Sequence, residues 1–145
     1  MTRFDQFWVL AAVAAVAQFA WAVDRRRRSG RPLNPQPPSG NVLYKETFAS
    51  GHSLKTTWSR MVWTKGCLRV VITPEVLWVA PFFPFNLAPG LHLEYDIARS
   101  AIVAINPAKY LFRKTVVIEF KDATGGVERL ELLIRDPKAF LTALG

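Results

Sequence analysis

The sequence predicts a mainly-β protein behind a single membrane span: a strongly bent antiparallel sheet or partly open barrel closed by one C-terminal helix, preceded by one N-terminal transmembrane helix. Three observations predict it. Phe7 to Val23 (FWVLAAVAAVAQFAWAV) carries no formal charge and is followed by Arg25, Arg26, Arg27 and Arg28. Between Cys67 and Ile134, alternating apolar segments are separated by turn residues, as in strands paired into hairpins. The closing DPKAFLTALG joins a helix start signal to an apolar stripe at helical spacing.

The apolar run has 17 residues, the short end of the roughly 17–25 that cross a bilayer as a helix. Its flanks strengthen it, because Phe7, Trp8 and Trp21 sit where aromatic rings favour the headgroup region. Ala11, Ala12, Ala14, Ala15, Ala17 and Ala20 keep helix propensity high, and Gln18 is the one polar interruption. A cleavable signal peptide is the competing reading, since Ala20-Trp21-Ala22 has the small-x-small form of a cleavage site. Against it, Arg3 is offset by Asp5 where a signal peptide starts clearly positive, and four consecutive arginines would have to be translocated. The same rule places the N-terminus outside and the rest of the chain on the cytoplasmic side of the cell membrane, with Arg25 to Arg28 as the topology signal.

The chain therefore divides into a short tail (1–6), the span (7–23), a basic and proline-rich linker (24–40) and one domain (41–145). In the linker, Pro32, Pro35, Pro37 and Pro38 forbid regular hydrogen-bonded structure and favour an extended path. A dozen such residues reach roughly 37 Å at about 3.1 Å each, so the domain stays near the headgroups. The formal charge is +8, but half of it sits before residue 41, leaving the folded part only mildly basic. That argues against nucleic acid, which would need a concentrated basic stripe with interleaved aromatics. The single cysteine, Cys67, forbids an internal disulfide or a thiolate metal site and reads as a small buried hydrophobe.

Along the domain, Val42, Tyr44 and Phe48 give the partial alternation of a first strand. Gly51 to Gly66, with Leu54, Trp58, Met61, Val62 and Trp63, suits a short helix, an irregular loop or a strand equally; Lys55, Arg60 and Lys65 lie in it with no acidic residue among them. CLRVVITPEVLWVAP is a hairpin, with Leu68, Val70 and Ile72 on one face, a turn at Thr73-Pro74-Glu75 and a return strand over Val76 to Val79. In PFFPFNLAPG the prolines keep Phe82, Phe83 and Phe85 out of any long regular element. Those rings either pack over the core as a satellite or meet the bilayer or a partner.

LHLEYD alternates Leu91, Leu93 and Tyr95 against His92, Glu94 and Asp96, a strand with one wet face. Ile97 to Ile105 forms the next element, ended by Asn106-Pro107. Lys109, Arg113 and Lys114 follow as a second basic cluster. TVVIEFK, the DATGG turn and the strand from Val127 to Ile134 make a second hairpin, with Val116, Ile118, Phe120, Leu130, Leu132 and Ile134 inward and Arg129 and Glu131 outward. Asp136 is placed to cap the last helix, Pro137 suits its first position, and Phe140, Leu141 and Leu144 form its apolar stripe.

The succession GCLRVVITPEVLWV, DIARSAIVAI, VVIEFKDATGGVERLEL and DPKAFLTAL resembles the pleckstrin-homology-like superfold, especially its GRAM-like and bacterial members, over about residues 43 to 144. The resemblance implies a bent sheet or partly open barrel plugged at one end by the last helix, used to bind lipid headgroups or proteins without chemistry. Lys55, Arg60 and Lys65, or Lys109, Arg113 and Lys114, are then the candidates for an anionic headgroup, and Phe82, Phe83 and Phe85 for a membrane or partner contact. No catalytic constellation stands out. His52 and His92 lack a third ligand at motif spacing, and Glu94 and Asp96 share one strand face as solvated carboxylates. The expectation is a membrane-anchored, non-enzymatic binding or assembly module without metal or cofactor. Its partners are the bilayer, another membrane-associated protein and, in the alternative reading, anionic lipid headgroups; a small membrane-bound enzyme is the third reading.

Overall fold

The computed structural model of the chain describes residues 3–61, 63–88 and 93–145. An N-terminal helix α1 (Arg3–Arg28) leads through an extended segment into a single seven-stranded sheet. The strands are β1 (Tyr44–Ser53), β2 (Thr64–Ile72), β3 (Val76–Pro81), β4 (Tyr95–Ala98), β5 (Ile102–Tyr110), β6 (Arg113–Lys121) and β7 (Val127–Leu133). A short helix α2 (Thr57–Met61) joins β1 to β2, single 3-10 turns lie at Phe85–Leu87 and Arg99–Ala101, and helix α3 (Pro137–Leu144) ends the chain.

The sheet order is β4-β3-β2-β1-β7-β6-β5, every pairing antiparallel. β1 serves both halves: its first part pairs with β2 and its last residues, Ser50 to Ser53, with β7. The two sides of the sheet share one core, where Tyr95 of the outer strand β4 meets Phe120 of β6 edge-on with centroids 5.3 Å apart. Leu68, Val70, Ile72, Leu77 and Val79 from one half and Val116, Ile118, Leu130 and Leu132 from the other are all fully buried in that core. α3 docks on it through Phe140, fully buried, and Leu144, while Leu141, expected in the same stripe, is exposed. The Asp136 carboxylate caps α3 by accepting from the Ala139 N–H at 3.0 Å, and packing supplies what a two-turn helix lacks alone.

Both expected hairpins form, β2–β3 and β6–β7. At the second, Asp122 Oδ1 accepts from the N–H groups of Thr124 and Gly126, at 2.8 and 2.9 Å, and Gly125 takes the positive φ (+84°) that closes the turn. Elsewhere tertiary context overrides the local pattern. Phe48 does not face the core with Tyr44, because a bulge between Thr47 and Ala49 gives it φ +69°, leaves its ring 64% exposed and turns Ala49 inward. Three residues on, β1 passes so close to β7 that a Cβ on Gly51 would stand 2.6 Å from the Glu131 carbonyl oxygen. Asn106-Pro107 does not end its element; β5 runs through it to Tyr110, since β5 is an edge strand and the missing proline N–H faces no partner. Ile97 and Ile105 lie in separate strands, β4 and β5. Glu131 points outward, away from the core, as expected, yet is buried. Between β1 and β2 the helical alternative holds, with Trp58 and Met61 of α2 exposed. Val62, Leu91 and His92 lie outside the described residues; of the strand expected from Leu91 to Asp96, Leu93 and Glu94 are irregular and β4 begins at Tyr95.

α1 runs further in both directions than the apolar run and continues through Asp24 to Arg28, where Arg28 Nε and Asp24 Oδ2 pair at 2.8 Å one turn apart. Its most apolar 18-residue window has a mean hydropathy of 1.7 with none of its residues buried, so it is long and apolar enough to cross a membrane. The proline-rich segment has no regular structure, as expected, but it is not a free tether. Arg69 donates to the Pro35 carbonyl and, at 3.2 Å, to Asn34 Oδ1, and Asn86 Nδ2 donates to the Leu33 carbonyl at 2.6 Å.

Candidate functional site

The end of α1 meets the β-domain across a cleft of about 490 Å³. Arg26 makes the junction. Its side chain is 7% exposed, Nε donates to the Pro32 carbonyl at 2.7 Å, and Nη1 donates both to the Asn86 carbonyl at 3.1 Å and to Glu94 Oε1 at 2.5 Å. A guanidinium is tolerated out of water only when paired and hydrogen-bonded, and these contacts fasten helix, linker and loop to one residue. The fourth position is open: among the described residues Nη2 is buried without a hydrogen-bond partner, as is Asn86 Oδ1. The other arginines of the row differ. Arg25 lies over the Trp21 ring at 5.3 Å, Arg27 is exposed, and Arg28 pairs with Asp24.

The first basic cluster does not converge. Lys55 lines the cleft and pairs with Glu128 at 3.0 Å, Arg60 donates to the Leu54 carbonyl at 3.0 Å, and Lys65 is in solvent on β2. In the second cluster, register brings Lys109 opposite Lys114 and Tyr110 opposite Arg113, leaving Leu111 and Phe112 as a two-residue tip. Leu111 has φ +44° and is 73% exposed; Phe112 has φ +70° and is wholly exposed. The sequence signal of this tip is Tyr110-Leu111-Phe112 flanked by lysines and arginine, bulky apolar residues where a turn is needed.

The three loop phenylalanines part company. Phe82 packs on the core and meets Phe48 and Phe85 edge-on at 5.6 and 5.3 Å. Phe83 and Phe85 remain largely exposed, and Phe83 meets Phe19 of α1 at 6.2 Å.

On the face of the sheet away from the core lies a buried polar cluster. His52 Nε2–H donates to Glu131 Oε2 at 3.0 Å, and the Thr115 hydroxyl donates to Glu131 Oε1 at 2.6 Å. The carboxylate can only accept, which puts the imidazole proton on Nε2 and leaves Nδ1 buried and, among the described residues, unpartnered. Burial lowers the His52 pKa below its usual 6.5, and the Glu131 carboxylate opposes that in part. Trp63 stands edge-on to the imidazole at 4.3 Å and stacks flat on Tyr110 at 4.4 Å. Inside the core, the Ser53 and Tyr95 hydroxyls share a hydrogen bond of 2.8 Å, and burial pushes the Tyr95 phenol up to about 12. The Cys67 thiol is likewise buried and pushed up, an inert environment. Glu94 is taken by Arg26 while Asp96 is exposed on β4, and among the described residues no three His, Cys, Asp or Glu side chains gather where they could hold a metal ion.

No protein-family model matches the chain, and no curated protein matches it.

Proposed function

We propose that the chain is a membrane-anchored, non-enzymatic binding or assembly module with a pleckstrin-homology-like domain on the cytoplasmic side of the cell membrane, where it holds another membrane-associated protein. The apolar, unburied surface of α1 supports the anchor, and the four arginines behind it support a cytoplasmic domain. Seven antiparallel strands closed by a C-terminal helix support the pleckstrin-homology-like reading.

The observation that carries a binding role is the β5–β6 tip. Two-residue hairpin turns with positive φ favour Asn-Gly, and bulky side chains there cost about 1–2 kcal/mol each. Leu111 and Phe112 bear that cost while presenting their side chains to water, ringed by Lys109, Arg113 and Lys114. Such a knob suits a protein pocket with an apolar floor and an acidic rim. A photo-crosslinking side chain at position 112 of the full chain in intact membranes should yield one discrete protein adduct, one at Thr124 should not, and Arg113→Glu with Lys114→Glu should remove it. Equal labelling from both positions would sink the proposal. A second reading, recognition of an anionic lipid headgroup, is favoured by the cationic cleft beside α1.

A further inference from the structure

We infer that the cleft between the end of α1 and the β-domain is a binding site for a phosphate group, presented by the headgroup of an anionic membrane lipid. The inference rests on α1 being a membrane anchor. Its chemistry comes from the walls. Arg25, Arg26, Arg31 and Lys55 line the cleft against only two carboxylates, Glu94 and Glu128, and both are already engaged, by Arg26 and Lys55. Two guanidinium groups, those of Arg25 and Arg31, are thus left in excess of the acidic charge. Behind them stands Arg26, more than nine-tenths buried, with Nη2 carrying protons that no group among the described residues accepts. A buried, unpaired guanidinium nitrogen is costly, and a phosphate oxygen is the acceptor that suits it, since planar guanidinium groups pair with phosphate through parallel N–H bonds.

Position selects the lipid source over free phosphate. The cationic residues follow the apolar helix directly, at the depth where headgroups lie, and Trp21, an interfacial aromatic, forms one wall. Pro81, Phe85 and Leu93 line the same cleft, so one ligand meets both cations and hydrocarbon there. A volume of about 490 Å³ accommodates a glycerophosphate headgroup with the start of its chains. The two cationic clusters singled out in the sequence are not this site; only Lys55 belongs to it.

The test uses the full chain in a neutral detergent, with its thermal midpoint followed by circular dichroism. Short-chain phosphatidylglycerol should raise the midpoint saturably, by roughly 5 °C at saturation. Short-chain phosphatidylcholine should not, and inorganic phosphate should act only at far higher concentration. Arg25→Gln with Arg31→Gln, both exposed positions that leave the Arg26 junction intact, should abolish the shift; Lys121→Gln with Lys138→Gln should preserve it. An equal response to phosphatidylcholine, or a shift that survives Arg25→Gln with Arg31→Gln, overturns the site. Inorganic phosphate matching the lipid at equal concentration keeps the phosphate chemistry and overturns the lipid. Extraction of cell membranes with alkaline carbonate separates this from the anchor: a chain released by carbonate defeats the anchor reading itself, whereas a retained chain without a lipid-dependent shift defeats only the site.

Discussion

Two hairpins share β6, and they turn the chain by opposite rules. The β6–β7 turn uses Asp122 to satisfy two backbone N–H groups and Gly125 to take the positive φ, so every residue suits its conformation. The β5–β6 turn sets Leu111 and Phe112 at positive φ, with no glycine and no side-chain cap, and leaves both side chains in water. The first turn is what folding asks for. The second departs from it at two adjacent positions, and departures of that kind concentrate at sites kept for function. Stability resides in what the hairpins share, and the proposed partner-binding role rests on where they differ.

The largest expected effect removes the shared part. Ile118 of β6 is fully buried between the halves of the sheet, and Ile118→Ala should cost about 3 kcal/mol through lost transfer energy and the cavity left behind. A chemical-denaturation midpoint on the full chain in detergent measures it. If the two hairpins belong to one core, probes on β5 and on β7 lose stability together. Separate transitions would mean that the hairpins fold as independent units.

Next in size is an exchange of turn chemistry. Leu111→Asn with Phe112→Gly should stabilise the fold by about 1–2 kcal/mol, because both new residues accept the mirror-image turn that the old ones resist. The same change should eliminate the partner captured through position 112. Gly125→Ala should move the other way, losing about 1 kcal/mol at φ +84° with partner binding intact. A destabilised Asn-Gly variant would mean that the Leu-Phe tip packs on the domain and is no knob.

The regular parts of this fold were legible because their causes are local. Leu68, Val70 and Ile72, and likewise Val116, Ile118 and Phe120, alternate without interruption, and DATGG and Asp136-Pro137 announce a turn and a cap by their own chemistry. What escaped is set by neighbours distant in sequence. Pro107 reads as a strand end until β5 is known to be an edge. Glu131 reads as a solvent residue until His52 and Thr115, from two other strands, are brought to its carboxylate. Phe48 keeps its period until a bulge interrupts it. Of the candidate site, the four arginines were visible as a charge run, but that Arg26 alone turns inward to Glu94, 68 positions away, is decided by how the helix meets the domain.

The smallest expected effect is also the most selective between the hairpins, because the titratable group beside each one differs: His52 of β1 near the end of β5, and Asp122 in the β6–β7 turn. Tyr110, at the end of β5 next to the tip, lies under the stack with Trp63 that covers His52. With its native pKa below 6.5, His52 stays neutral on folding, while in the unfolded chain it takes a proton more readily. The stability it contributes is therefore full above pH 6.5 and lost as the pH falls through the native value, where a new N–H at Nδ1 would meet no acceptor among the described residues. Asp122 at the other turn is held below its usual 3.8, first by the Thr124 hydroxyl, so its contribution persists until the pH falls below that value. Between pH 7.5 and pH 5, amide exchange corrected for its intrinsic pH dependence should quicken at Tyr110 and hold steady at Gly125. His52→Gln should erase the difference; were Tyr110 still to respond in that variant, the acid sensitivity of the β5–β6 end would belong to other groups, and the two hairpins would be distinguished by their tips alone.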